Sequence, residues 1–82
     1  MKIEVLGTGC KKCNLLEAAT KAAADKLGIQ YELVHVKDLA KIAAYGVMMT
    51  PALVIDGQVK VSGKVPSEAE LTTLLTNAQA RS

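Results

Sequence analysis

Near its amino terminus the chain reads Lys2-Ile3-Glu4-Val5-Leu6-Gly7-Thr8-Gly9-Cys10-Lys11-Lys12-Cys13. The first five of these residues predict a short apolar strand, and the two glycines predict a turn after it. From Asn14 to Leu27 the chain is rich in helix formers, so both cysteines fall in or next to the first turn of a predicted helix. Unpaired backbone N–H groups and the positive end of the helix dipole favour a negative charge there. A thiolate is such a charge, and this placement therefore indicates reactive cysteines.

The composition is that of one small domain covering residues 1–82. Half of the residues are hydrophobic, and the net charge is +2. No basic run or aromatic platform indicates nucleic-acid binding, and no apolar stretch approaches the roughly 20 residues of a membrane span. The amino terminus does not resemble a signal peptide, so we expect a cytoplasmic protein. Two cysteines three residues apart then point to redox or metal chemistry rather than to a framework of structural disulfides.

The rest of the chain predicts a second strand, a second helix, a hairpin of two strands and a third helix. Gly28 stands where it would cap the first helix, and residues 29–36 predict the second strand. Asp38 would cap a helix over residues 39–45 that ends at Gly46. Asp56-Gly57 predicts a tight turn between strands 52–55 and 58–62. Ser67 would cap the last helix, with Glu70 at the spacing of a capping box.

This order, βαβαββα, predicts an α/β fold with a mixed four-stranded sheet covered on both faces. A helix joins the first two strands, so we expect them to be parallel. The last two strands form the hairpin and must be antiparallel.

Three features together make the chain resemble the thioredoxin/glutaredoxin superfamily. They are the Cys10…Cys13 motif between strand and helix, Thr50-Pro51 just before the third strand, and the βαβαββα order. The closest resemblance is to the small thioredoxin-like redox-active disulfide proteins of archaea and bacteria, and it covers nearly the whole chain. It implies a thioredoxin-like three-layer α/β/α sandwich and a thiol–disulfide oxidoreductase acting on protein disulfides. It also implies a monomer that needs no cofactor beyond its own disulfide and that is reduced by a thioredoxin-reductase-like partner.

The resemblance also assigns roles to individual residues. Cys10 would be the attacking thiol and Cys13 the resolving one, and the two would form the redox-active disulfide. Pro51 would be a cis-proline beside this disulfide, and Thr50 would offer its backbone to an extended substrate segment. Glu4, six residues before Cys10, corresponds to a buried acid that takes up the proton of the resolving cysteine.

Some of these assignments have competing interpretations. Lys11 and Lys12 would stabilise the Cys10 thiolate and lower its pKa, or they are a solvated helix start whose charges are screened. Glu4 is a candidate proton acceptor, or a partly exposed glutamate at the margin of the sheet; the residues alone favour the second interpretation.

The other candidates receive structural interpretations. His35 lies in the second half of the predicted second strand, and we interpret it as a sheet residue. We assign Tyr45 to packing. Met48 and Met49 offer an adaptable apolar surface to a partner or fill gaps in the core.

The sequence also departs from the better-known members of the superfamily. The motif is Cys-Lys-Lys-Cys rather than Cys-Gly-Pro-Cys or Cys-Pro-Tyr-Cys, and Gly9 stands where thioredoxins carry a tryptophan. Ser62-Gly63-Lys64-Val65 does not match the segment by which glutaredoxins bind glutathione.

A metal-binding module is the alternative function. The loop from Gly7 to Cys13 resembles the Gly-Met-x-Cys-x-x-Cys loop of small copper-chaperone domains, although Thr8 stands where those domains carry methionine. Their element order, βαββαβ, also differs from the order predicted here. Tetrahedral zinc needs four ligands, which one copy of this chain does not supply at the motif. A zinc ion or cluster bridged between two copies stays open as a third interpretation.

Overall fold

The computed structural model describes residues 1–7, 11–47 and 49–80. Within them the order is βαβαββα, as predicted, and the bounds are β1 Lys2–Leu6, α1 Lys11–Leu27, β2 Glu32–Val36, α2 Leu39–Ala44, β3 Ala52–Ile55, β4 Gln58–Ser62 and α3 Glu68–Ala80.

The four strands form one mixed sheet in the order β2-β1-β3-β4. β1 runs parallel to β2, with Val5 beside His35, and antiparallel to β3. β3 and β4 form the antiparallel hairpin, with a register shift that places Leu53 opposite Val61 and Val54 opposite Val59. The carboxyl ends of β1 and β2 and the amino end of β3 therefore share one edge of the sheet, which we call the upper edge.

Each face of the sheet is covered, which confirms the three-layer α/β/α architecture. Alternate residues of β1 point to opposite faces. Ile3 and Val5 belong to a large core shared with α1, α3, β3 and β4, whereas Leu6 belongs to a smaller core that contains Ile42 of α2. The side chains of α1 and α3 thus cover one face, and α2 covers the other.

The predicted turns and caps are present. Asp56 and Gly57 both have positive φ, at 50° and 83°, as the primed turn of a two-residue hairpin requires. Gly28 ends α1 at φ 70°, and the next N–H, that of Ile29, donates to the Ala24 carbonyl at 3.1 Å. Ser67 Oγ accepts from the Glu70 N–H at 3.2 Å, one half of the predicted capping box. The Glu70 carboxylate pairs instead with Lys64, at 3.3 Å.

Two predicted boundaries were wrong by three residues. α1 begins at Lys11 rather than Asn14, so Cys13 lies within the helix. β2 begins at Glu32 rather than Ile29 because Ile29 closes the end of α1 and is buried in the larger core. None of the helices in the described ranges has both the length and the apolar character needed to cross a membrane.

The short helix α2 provides a test of the capping argument. Asp38 Oδ1 accepts from the Ala40 N–H at 2.9 Å, and the helix has only six residues. We expect Asp38→Ala to lower the free energy of unfolding by about 1 kcal/mol, because an orphan N–H loses its acceptor. Denaturant unfolding measures this loss. Asp38→Asn, which keeps the acceptor, should lose much less, and equal losses in the two variants would contradict the capping role.

Candidate active site

Cys13 lies in the first turn of α1 and is fully buried. No acidic residue occupies this turn, so nothing in it offsets the positive end of the helix dipole. Cys10 and Met48 lie outside the described residues, as do Thr8, Gly9, Arg81 and Ser82. The pairing and roles predicted for Cys10 therefore stay predictions.

Gly7 lies directly against the sulfur of Cys13. A Cβ atom built on Gly7 would overlap Cys13 Sγ, would lie 3.1 Å from Cys13 Cβ, and would be 3.9 Å from Thr50 Cβ. The backbone conformation of Gly7 does not require glycine, because its φ is not in the left-handed range. Space requires it. A missing side chain at the end of β1 thus brings together the first turn of α1 and the segment before β3.

The segment Met49-Thr50-Pro51 is held to the end of β4. Ser62 Oγ donates to the Met49 carbonyl at 3.2 Å, and the Gly63 N–H donates to the Pro51 carbonyl at 2.9 Å. The Thr50–Pro51 peptide bond is cis, as predicted, and Pro51 is buried. Thr50 is exposed, and its Cβ lies close to Gly7, as the Cys13 sulfur does. Its contact with a substrate backbone stays a prediction.

Glu4 is buried on the central strand, so its interpretation as a glutamate at the sheet margin was wrong. Its neighbours in the sheet are Val34 on one side and Val54 on the other. Tyr45 donates its hydroxyl to Glu4 Oε2 at 2.5 Å, and the Lys2 ammonium lies 3.5 Å from Glu4 Oε1. By strand alternation the carboxylate faces α2, whereas Cys13 lies on the α1 face. The role of Glu4 as proton acceptor stays a prediction.

Tyr45 has a polar contact beyond the packing role expected from the sequence, because its hydroxyl donates to Glu4. The bond to the Glu4 carboxylate raises the pKa of Tyr45, and desolvation and the carboxylate charge raise it further. The signal in the sequence was weak, because it required knowing that α2 covers the face to which Glu4 points.

His35 is a sheet residue, as interpreted, but its position in the parallel register brings it near the upper edge. It lies beside Val5, two residues before Gly7. His35 Nδ1 is 3.4 Å from Glu17 Oε2, and Glu17 is one helical turn beyond Cys13. Tyr31 also donates to Asp25 of α1, at 2.8 Å. These two polar contacts attach α1 to the edge strand β2 and to the loop before it.

Lys11, Lys12 and Met49 line the outside of the site. Both lysines are exposed, and Met49 is 63% exposed. Met49 therefore does not fill a gap in the core. Its side chain lies near Gly63, where an added Cβ would come within 3.2 Å of Met49 Cβ. The predicted effect of Lys11 and Lys12 on the Cys10 thiolate stays a prediction.

Comparison with known proteins identifies the family. The family profile described as "Thioredoxin domain" matches residues 1–76. The chain is 37% identical over 76 residues to the thioredoxin of Methanothermobacter thermautotrophicus, an alignment that covers 93% of this chain and 99% of the relative. It is 41% identical over 69 residues to the thioredoxin of Methanocaldococcus jannaschii, covering 84% of this chain and 79% of that protein. The chain belongs to the thioredoxin family.

Membership of this family supports a redox function in general terms. The observed order, with α2 before the hairpin and α3 at the end, also differs from the βαββαβ order of copper-chaperone domains. Among residues 1–7, 11–47 and 49–80, no group of three or more His, Cys, Asp or Glu side chains could hold a metal ion.

The contact between Gly7 and Cys13 leads to a first prediction for the site. Gly7→Ala should lower the free energy of unfolding by about 1–3 kcal/mol, because the added methyl group overlaps the sulfur. It should also change the rate at which Cys13 of the reduced protein is alkylated under native conditions, which mass spectrometry measures. Gly57→Ala is the control, since its Cβ meets open space and φ 83° costs about 1–2 kcal/mol. If Cys13 is alkylated at the same rate in both variants, Gly7 does not position the sulfur.

The contact between Glu4 and Tyr45 leads to a second prediction. In a Tyr31→Phe background Tyr45 is the only tyrosine, and we expect its phenol to ionise at higher pH than free tyrosine. Glu4→Gln should lower this pKa towards the ordinary value, because deprotonation then no longer places two negative charges together. Ultraviolet absorbance of the phenolate gives the titration. Folding favours the protonated phenol, so its stabilising effect is lost as pH rises through the folded pKa. An unchanged titration in Glu4→Gln would contradict the bond.

Proposed function

We propose that this protein is a dithiol–disulfide oxidoreductase that uses Cys10 and Cys13 on protein substrates. The observation that supports this most strongly is the burial of the Cys13 sulfur at the start of α1, against Gly7, which also lies close to Thr50. Cys10 precedes it by three residues, in a chain of the thioredoxin family. A buried sulfur three residues after a reactive one suits a resolving role, because it is shielded from outside reagents but close to its neighbour in the chain.

The proposed reaction consists of two thiol–disulfide exchanges. The Cys10 thiolate attacks one sulfur of the partner disulfide, and the other partner sulfur leaves as a thiolate. The Cys13 thiolate then attacks Cys10 in the mixed disulfide and displaces the second partner sulfur. The partner gains two electrons and two protons, and the protein is left with a Cys10–Cys13 disulfide. A thioredoxin-reductase-like partner would reduce the Cys10–Cys13 disulfide again, and the protein itself would need no further cofactor. We propose that this reaction takes place in the cytoplasm.

Neighbouring groups would assist these steps. Lys11 and Lys12 would stabilise the Cys10 thiolate, together with the amino terminus of α1. Thr50 would pair its backbone with the substrate segment, next to Pro51. Glu4 would accept the proton of Cys13. Because Glu4 and Cys13 lie on opposite faces of β1, we propose that this transfer runs through water rather than by direct contact.

Trapping the mixed disulfide tests the assignment of the two cysteines. Cys13→Ser should accumulate a covalent complex with a disulfide-bearing substrate, because the resolving sulfur is absent. Cys10→Ser should form no such complex, since its remaining sulfur is buried. Non-reducing electrophoresis and mass spectrometry detect the adduct. Accumulation with Cys10→Ser, and none with Cys13→Ser, would reverse the two roles.

A further inference from the structure

Two exposed positive charges, those of Lys11 and Lys12, lie next to the site. Lys11 and Lys12 form no ion pair with any residue that the structure describes. Neither has an acidic residue four positions later on α1, where Leu15 and Leu16 stand. Glu17 is the first acid along the helix, and its Oε2 lies 3.4 Å from His35 Nδ1, so residues 11–16 carry two lysines and no acid. The start of α1 therefore presents net positive charge to an approaching molecule.

The exposed Met49 belongs to the segment that Gly7 brings close to the start of α1. A Cβ atom added to Gly7 would overlap the Cys13 sulfur and would lie 3.9 Å from Thr50 Cβ. Lys12 adjoins Cys13 in the chain, and Met49 adjoins Thr50, so each lies within one residue of that shared contact. We call Lys11, Lys12, Met49 and Thr50 the docking surface. It lies across the upper edge of the sheet, where the proposed exchange takes place.

Two acidic side chains in neighbouring elements make contacts of their own. Asp38, near the end of β2, caps α2 through Ala40. Glu70 is paired with Lys64, which follows Gly63. Several other acids lie towards the opposite edge: Glu32 begins β2, and Asp56 occupies the hairpin turn, where it accepts from the Lys2 N–H.

We propose that the docking surface selects an acidic segment of a partner protein, with carboxylates flanking the reactive cysteine and an apolar side chain beside it. This inference rests on the proposed function and adds the chemical class of the substrate. Carboxylates would lie near Lys11 and Lys12, and the apolar side chain would lie on Met49. Opposite charges raise the rate of encounter, and a flexible thioether accommodates varied apolar shapes.

The test uses short cysteine peptides that carry a mixed disulfide to thionitrobenzoate. Attack by the reduced protein releases this coloured thiol, so stopped-flow absorbance gives the rate constant. The peptides are identical except that Glu, Gln or Lys flanks the cysteine. At low salt we expect the Glu peptide to react about tenfold faster than the Lys peptide. The ratio should fall towards one near 1 M salt, where the Debye length is about 3 Å.

Variants separate docking from an effect on the thiolate. Lys11→Gln with Lys12→Gln should bring the Glu-to-Lys ratio down to about twofold or less, because the complementary charge is gone. An effect on the Cys10 thiolate alone would change all three peptides by the same factor and leave the ratio intact. Lys21→Gln with Lys26→Gln is the control of equal charge: it removes two lysines about 13 Å or more along α1, one of them paired with Glu68, and should keep the ratio.

Met49 has a parallel test. Within the Glu series, a peptide with Leu beside the cysteine should react faster than one with Ser, and Met49→Gln should reduce this preference. Val59→Gln, at another exposed apolar position, should not.

The outcomes distinguish this inference from the function on which it rests. Glu and Lys peptides that react equally fast, or a ratio unchanged by the double substitution at Lys11 and Lys12, would overturn the acidic segment. An apolar preference unchanged by Met49→Gln would overturn the apolar contact. If none of the peptides releases the coloured thiol, the proposed function itself fails, and this inference fails with it.

Discussion

The sulfur of Cys13 lies against the end of β1 because Gly7 has no side chain there, and the candidate site is built around this contact. The same position touches Thr50, so one missing Cβ brings together a strand, a helix start and the segment before β3. Ser62 and Gly63 hold that segment from the other side by hydrogen bonds to the Met49 and Pro51 carbonyls. A bulkier residue at Gly7 would have to displace α1, the sulfur or this segment.

Topology explains why these parts meet. β1 and β2 are parallel, so the helix that joins them must begin above the carboxyl end of β1. β3 runs antiparallel to β1, and its amino end therefore lies at the same edge. Glu17 and His35 attach α1 to the edge strand, one helical turn from Cys13. The larger core, with Leu16 of α1 and Leu71 of α3, then fixes the helix on its face of the sheet. The strand connection, the contact between Glu17 and His35 and the larger core thus all fix the position of the Cys13 sulfur.

The sequence was sufficient for every element, for the parallel pairing of β1 with β2 and for the hairpin of β3 and β4, because apolar alternation, turn dipeptides and capping residues are local signals. It did not predict the strand order or the antiparallel pairing of β1 with β3. It misplaced the start of α1, where the usual capping residue is missing, and the start of β2, where Ile29 serves the cap of α1 instead. The contacts that it missed join residues far apart in the chain. The bond from Tyr45 to Glu4 depends on α2 covering one face, and the pairing of Glu17 with His35 depends on strand register. Gly7 was predictable, since strand alternation points it towards the same helix as Ile3 and Val5.

The central claim is that Cys10 and Cys13 act together as a reversible dithiol. Mass spectrometry of the intact protein, after air exposure and after treatment with dithiothreitol, tests it most directly. We expect the air-exposed protein to be lighter by two hydrogens and neither cysteine to be alkylated in it. The reductant should restore both the mass and the alkylation. An air-exposed protein with both thiols free and a metal ion retained would contradict it and would favour the metal-binding alternative.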